Sequence, residues 1–200
     1  MAESSYVSWL GTHGPRPSRA LRERGLAWRS WRLARRYGLA LEGAGDLRSA
    51  RVVDVGGAEG LFAQRLLAAG AEQVTVVEPK HQRVAVGEER ARAAGVCFVE
   101  GSILARLDLL DHCDTLVSLR CIYHMGPAVH DLFRAIEASP VRRVVLQGRS
   151  LSPRGAPQHH GQLWGPPLGV SSGMIQILGT YGFQAEQRPH PSFPVAVGRR

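Results

Sequence analysis

The residues best placed to do chemistry stand in the run Val52-Val53-Asp54-Val55-Gly56-Gly57-Ala58-Glu59-Gly60-Leu61-Phe62. An apolar strand here enters a glycine-rich turn and passes straight into a helix. In open α/β sheets such turns lie at the carboxyl ends of strands, where bare backbone can approach a ligand closely. Eighteen residues after Gly60, the run Val74-Thr75-Val76-Val77-Glu78 ends in an acid. A carboxylate at that strand tip can accept hydrogen bonds from both hydroxyls of a ribose. Turn and acid together point to a nucleoside-containing cofactor. A second polar group follows a later apolar strand, where residues 115–119 give way to Arg120, Cys121, Tyr123 and His124. Histidine is the side chain best suited to take a proton near neutral pH, which makes His124 the candidate general base. Tyr123 would orient or stack on an acceptor. The competing reading is that His124 bonds backbone and only holds its loop.

Spacing narrows the cofactor. A dinucleotide fingerprint wants Gly-x-Gly-x-x-Gly with a pyrophosphate on the helix N-terminus. Here Gly56 and Gly60 are four apart with Ala58 between them, and neither Leu61 nor Phe62 is glycine. Glu59 would repel a pyrophosphate, and Asp54 suits a cationic or amine-bearing ligand better than a phosphate. There is no Gly-Lys-Ser/Thr phosphate loop either. A phosphate-free, positively charged nucleoside meets these conditions. The three cysteines, Cys97, Cys113 and Cys121, have no paired spacing and read as reduced, mostly buried thiols. The histidines are scattered apart from the adjacent His159 and His160, so no metal site is expected.

With Asp54, Gly56, Ala58 and Gly60 in place, the sequence resembles the class I S-adenosylmethionine (SAM)-dependent methyltransferases. Their first motif is an apolar strand, an acid, and Gly-x-Gly-x-Gly; Ala58 replaces the middle glycine. The resemblance implies that the backbone of Gly56, Gly57, Ala58 and Gly60 cradles SAM, that Asp54 is among the cofactor-binding residues, and that Glu78 holds the ribose. It implies adenine contacts from Gly101, Ser102 and Ile103, although the family often carries an acid where Ser102 stands. It also implies that the transferable methyl faces the segment from Arg120 to Met125. Arg120 would there pair with the SAM carboxylate, an acidic substrate or a structural acid. The Tyr123-His124 pair followed by Gly126-Pro127 is most similar to the tRNA wobble-uridine and small-metabolite branches. The resemblance runs from about Arg51 to Arg199.

The elements that must position these residues alternate along the chain. Strands are expected at 51–55, 73–78, 96–99, 115–119 and 141–147, with helices at 61–69, from about 81 to 95, and at 127–138. Strands separated by such helices predict βαβ units around a parallel sheet. After residue 151 the rhythm breaks. Residues 151–170 are rich in Pro, Gly and His, and a long irregular insertion in an α/β domain usually builds a binding site. His159, His160 and Trp164 are its candidates for a substrate wall. A helix from Ser171 or Ser172 through 178 and strands at 183–187 and 194–198 complete the pattern. The expected fold is a Rossmann-like three-layer α/β sandwich with a seven-stranded, mostly parallel sheet whose last strand is antiparallel. It occupies residues 47–200, preceded by an N-terminal extension, 1–46.

That extension holds the charge. The chain is formally +8, and eight arginines against Glu23 give +7 between Arg16 and Arg36 alone. Residues 1–17 read as a loose arm. From 18 to about 41, Ala27, Trp28, Trp31, Ala34 and Leu41 share one helical face and Arg29, Arg32 and Arg36 the other. This is either a helix with a solvated basic face or a surface for nucleic acid. With 44% hydrophobic and 21% charged residues the composition is that of a globular protein, not a disordered one. No apolar run approaches the ~20 residues that span a bilayer, and no secretory signal is legible, so a cytoplasmic location is expected. The expected activity is methyl transfer from SAM to an O, N or C nucleophile of a small biosynthetic metabolite, leaving S-adenosylhomocysteine (SAH). An RNA methyltransferase, or a carboxymethyl-type transferase on tRNA gripping phosphates through the arginine helix, is the alternative. A non-catalytic SAM-fold partner subunit comes third and a nicotinamide dehydrogenase last.

Overall fold

The central strands are apolar on both faces, a pattern stable only in a parallel sheet covered by helices on each side. In a computed structural model of the chain, which describes residues 26–148, 171–188 and 194–200, this is the arrangement found. Strands β1 (Arg51–Val55), β2 (Gln73–Glu78), β3 (Val96–Glu100), β4 (Thr115–Leu119), β5 (Arg143–Gln147), β6 (Gln184–Arg188) and β7 (Val195–Arg199) form one sheet. Their order is β3-β2-β1-β4-β5-β7-β6. The pairs among β1 to β5 are parallel, while β7 is antiparallel to both β5 and β6. The chain thus has the expected Rossmann-like sheet with one strand reversed.

Helices α2 (Leu61–Ala68), α3 (His81–Ala91), α4 (Val129–Glu137) and α5 (Ser171–Thr180) lie between successive strands. From β1 the chain steps to β2 and β3 in one direction, and from β4 to β5 in the other. Right-handed crossovers then put the helices on opposite faces and open a crevice between β1 and β4, where the direction reverses. Helix α4 shows why the sequence folds so. Val129, Leu132, Phe133 and Ile136 recur at helical spacing and are all buried, in one core with Leu116, Val144 and Leu146.

Departures from expectation are local. The helix begun at Pro127 opens as a 3₁₀ turn, Gly126–Ala128, before α4. The β5 strand starts at Arg143, two residues late. The stretch between β3 and β4, to which periodicity assigned no element, folds into two 3₁₀ segments, Ile103–Ala105 and Leu107–His112. Their apolar residues are too few and too close for a helical stripe, yet Ile103 and Leu110 both reach the core. Arg200 caps α4: its guanidinium donates to the carbonyls of Ile136, Glu137 and Ser139, and Nε donates to Val141. These are the carbonyls a helix C-terminus leaves unsatisfied, or lie just beyond them, and a cation there also meets the negative end of the dipole.

Contacts divide the chain into two compact units, Met1–Glu42 and Gly43–Arg200. Of the first, helix α1 (Leu26–Ala44, which ends in the second unit) is described. Its buried positions include Ala34, Tyr37 and Ala40, and Leu41, expected on the apolar face, is half-buried. Arg36, expected on the solvated face, is also half-buried, with its guanidinium carbon 4.7 Å from the Tyr37 ring centre. Aromatic stacking with an adjacent arginine overrides the simple two-face division there. Residues 16–25 of the basic stretch, and the side chains of Ala27, Trp28, Arg29, Trp31 and Arg32, lie outside the described residues.

Candidate cofactor and acceptor site

Strand register brings the first set of candidates together. The Gly56 N–H donates to the Val77 carbonyl at 2.8 Å, and the Gly101 N–H to the Glu78 carbonyl at 3.1 Å, so the ends of β1, β2 and β3 are tied side by side. At their centre the Glu78 carboxylate is 3% exposed. Its two oxygens accept from the Ala58 N–H at 3.2 Å and the Lys80 N–H at 3.2 Å, while Arg83 stands 3.7 Å away. An ionised carboxylate has about four acceptor positions. Two are taken by backbone donors that fix the group, which leaves two for a pair of vicinal hydroxyls.

The turn above Glu78 tolerates almost no side-chain bulk. Gly56 has φ +72, and a Cβ built on it would meet the Cys121 thiol and come within 2.7 Å of the Cys121 Cβ. Beside it, a Cβ on Gly57 would fall 2.5 Å from Asp54 Oδ2. Asp54 is 1% exposed and its carboxylate lies beneath the turn, not open to solvent at the strand end. Ala58, where the family motif has glycine, adopts φ 54. An L-residue in this left-handed region costs on the order of 1–2 kcal/mol, and strain of this kind gathers at functional sites. Glu59, which would repel a phosphate, lies 3.6 Å from Arg90 of α3.

Gly60 serves a second purpose. It also has positive φ, 75, and a Cβ there would lie 2.6 Å from Phe98 Cζ. Gly87 on α3 presses on the same ring, where a Cβ would lie 2.5 Å from that atom. The two glycines let the starts of α2 and the middle of α3 close over one aromatic of β3. Phe98 went unremarked from the sequence; an isolated glycine inside a polar helix was the available signal of close approach.

Gly101 (φ +135) follows β3 with open space around its Cα. Ser102 next to it spends its hydroxyl capping the 3₁₀ segment, accepting from the Leu104 N–H at 3.3 Å. Ile103 is 1% exposed and packed in the core. At the outer edge, His81 Nδ1 is 2.7 Å from Glu100 Oε2, which raises the histidine above its ordinary 6.5.

Across the crevice, β4 is followed by Arg120, which shares a positive φ (here 61) with Ser49 and Ala58 among the non-glycine residues described, and whose N–H donates to the Gln147 carbonyl at 2.7 Å. The chain then makes the 3₁₀ turn Ile122–His124, closed by the His124 N–H donating to the Cys121 carbonyl at 2.8 Å. Ile122 is buried and pins the turn. Tyr123 is half-buried and His124 exposed, their ring centres 4.5 Å apart. Cys121 is half-buried, and burial followed by the charges of Glu78 and Asp54 pushes its thiol up to about 11. Of the other cysteines Cys113 is buried, but Cys97 is exposed, because β3 is an edge strand and its residue 97 faces outward. That corrects the expectation of mostly buried thiols. His159, His160 and Trp164 lie outside the described residues.

A glycine turn, a strand-end acid and an acceptor-side turn around the β1–β4 crevice define a nucleoside-binding α/β sheet. The fold is that of the class I methyltransferases, and residues 52–139 match the family model described as "Methyltransferase domain". Magnesium protoporphyrin IX methyltransferase from Synechocystis PCC 6803, solved with SAM, superposes with TM-score 0.60 and 16% identity over 98% of this chain and 91% of its own. A SAM-dependent methyltransferase from Mesorhizobium loti gives TM-score 0.61 and 15% identity over 81% and 96%. The ribosomal protein L11 methylase from Lactobacillus delbrueckii subsp. bulgaricus gives 0.58 and 18% over 84% and 80%. No curated protein matches the chain in sequence. At such identities the likeness speaks for the fold, and the acceptor must be argued from the site. Among the described residues no helix is long and apolar enough to cross a membrane.

Proposed function

We propose that the protein is a SAM-dependent methyltransferase acting on an O, N or C nucleophile of a small molecule in a cytoplasmic biosynthetic reaction. The observation that carries this reading is the Glu78 carboxylate, buried, held by two backbone donors and directly below a turn whose positions 56, 57 and 60 admit no side chain. The residues fit the cofactor's chemistry. Carboxylates at 54 and 78 suit a cation, free acceptor positions on Glu78 suit a ribose, and Glu59 disfavours a phosphate. Gly101 and Ser102 would flank the adenine through their backbone, in place of the acid common in the family, while Ile103, expected to join them, is packed in the core and supports the segment from below. When bound, SAM supplies a methyl group on a sulfonium.

The chain's own share is alignment and proton handling. Methyl transfer in line asks mainly for proximity, worth several kcal/mol when two reactants are held at near-contact distance. The turn at 56–60 fixes one reactant. Tyr123 and His124, on a turn pinned by Ile122, fix the other, with His124 taking the acceptor's proton and Tyr123 orienting it. Arg120, at the same lip, would meet an anionic group on either partner.

Calorimetry with SAM, SAH and NAD tests the reading. Micromolar binding of the first two and none of NAD is expected; binding of NAD alone, or of nothing, overturns it. Turnover of a small acceptor should change little between low and high salt. A steep fall with salt would instead favour an RNA acceptor gripped through the arginine-rich segment.

A further inference from the structure

Cys121 stands where the two halves of the site touch. Its side chain fills the space that the missing Cβ of Gly56 leaves, so it sits against the cofactor turn. Its carbonyl, on the other side, accepts the His124 N–H that closes the Ile122–His124 turn. One residue therefore contacts the turn on β1 through its side chain and the turn after β4 through its backbone. Neighbouring Arg120 is locked in left-handed conformation by its bond to Gln147, which fixes where the chain enters Cys121. Burial first, and then the negative charges of Glu78 and Asp54, hold the thiol in its protonated form. With its titration near 11 the thiol stays protonated at neutral pH and adds no charge beside a methyl donor.

We propose that Cys121 is a positioning residue that couples the cofactor turn to the Tyr123–His124 turn, its side chain setting the seat of residues 56–60 and its carbonyl carrying that seat to the acceptor side. The proposal rests on the SAM reading of this site. It requires a small side chain at 121. Serine, of similar size, leaves the turn where it is, whereas leucine drives into Gly56 and shifts both turns together.

The protein carries its own controls for the test, because Cys97 is exposed and Cys113 buried. The full chain would be treated with a small methylthiolating reagent at pH 9, with and without SAH, and each cysteine followed by mass spectrometry. SAH binding is checked by calorimetry on the same sample. SAH should slow modification of Cys121 at least tenfold and leave Cys97 unchanged. In parallel, hydrogen exchange in the peptide holding the His124 amide should slow with SAH in the wild type and in Cys121→Ser. Cys121→Leu should lose SAH affinity at least tenfold and lose the exchange response. If SAH binds but Cys121 reacts at an unchanged rate, the positioning role is overturned while the cofactor reading stands. Unchanged exchange at His124 on binding overturns the coupling. A wild-type protein that binds no SAH overturns both readings, and calorimetry alone shows which case holds.

Discussion

The two lips of the crevice are built from different material. On the β1–β2–β3 side, three strand ends are tied by backbone bonds, and the carboxylate proposed to hold the ribose, Glu78, is buried and held at both oxygens. On the β4 side, the proposed acceptor groups are side chains on a single 3₁₀ turn, with His124 exposed and Tyr123 half-buried. The first lip is preorganised for one ligand by register. The second presents groups that can be exchanged without disturbing a strand, which is how one fold serves many acceptors. This division predicts that changes on the first lip act on affinity and changes on the second act on rate.

The largest effect expected is at Glu78. Glu78→Ala removes the acceptors for two hydroxyls and also frees the Ala58 and Lys80 amides. Two charge-assisted hydrogen bonds at about 1.5–3 kcal/mol each correspond to at least ~100-fold in SAM affinity. Calorimetry should show that loss, with Glu78→Gln falling between. Equal affinity in all three proteins would break the description of the first lip. Next comes His124→Ala. Loss of a general base lowers turnover by about 100-fold or more, and SAM affinity should stay within about twofold. A variant with full turnover would reduce His124 to a residue that holds its loop.

Sequence reading reached the first lip because its determinants are local. A strand, a glycine turn and an acid at fixed spacing are legible in one dimension, and apolar runs foretold the strands of the sheet except β6, whose residues Gln184–Arg188 are mostly polar and were expected from the Gly182-Phe183 step before them. What it missed depends on contacts between distant segments. Phe98 under Gly60 and Gly87, Cys121 against Gly56, and Arg90 beside Glu59 each join residues on different elements. The 3₁₀ segments at 103–112 escaped because their apolar residues lack a helical period and are held by the core they enter. The division of α1 into apolar and basic faces failed at Arg36, whose stacking on Tyr37 no periodicity reveals.

Two stability predictions separate scaffold from site. Arg200→Ala releases the carbonyls at the end of α4, far along the chain from either lip, and should cost about 1–2 kcal/mol. The denaturation midpoint should fall with SAM affinity unchanged; a matching loss of affinity would mean that the lips share α4's stability. Ala58→Gly acts in the opposite direction on the first lip. It relieves a left-handed alanine at about 1 kcal/mol while adding chain entropy to the unfolded state at roughly 0.5–1 kcal/mol. The melting temperature should therefore move by only a degree or two. A large loss in stability or affinity would show that the Ala58 methyl packs against the ligand or the loop.

The smallest expected effect is on pH, and it too falls on one lip. The hydrogen bond and charge of Glu100 raise His81 above its ordinary 6.5. A group raised on folding stabilises fully below its unfolded value and loses that contribution as pH rises through the folded value. The tie between the start of α3 and the end of β3 therefore weakens as pH climbs past 6.5 toward the raised value. Both partners are well exposed, with side chains 77% and 50% accessible, so the change should be slight and should diminish with salt. Titration of the His81 imidazole by NMR should give a midpoint above 6.5 that returns toward it in Glu100→Gln. The Tyr123 ring signals should not follow that titration. If they did, the acceptor lip would be sensing the outer edge of the cofactor lip through the three strand ends between them, and the two sides could no longer be treated as separately adjustable.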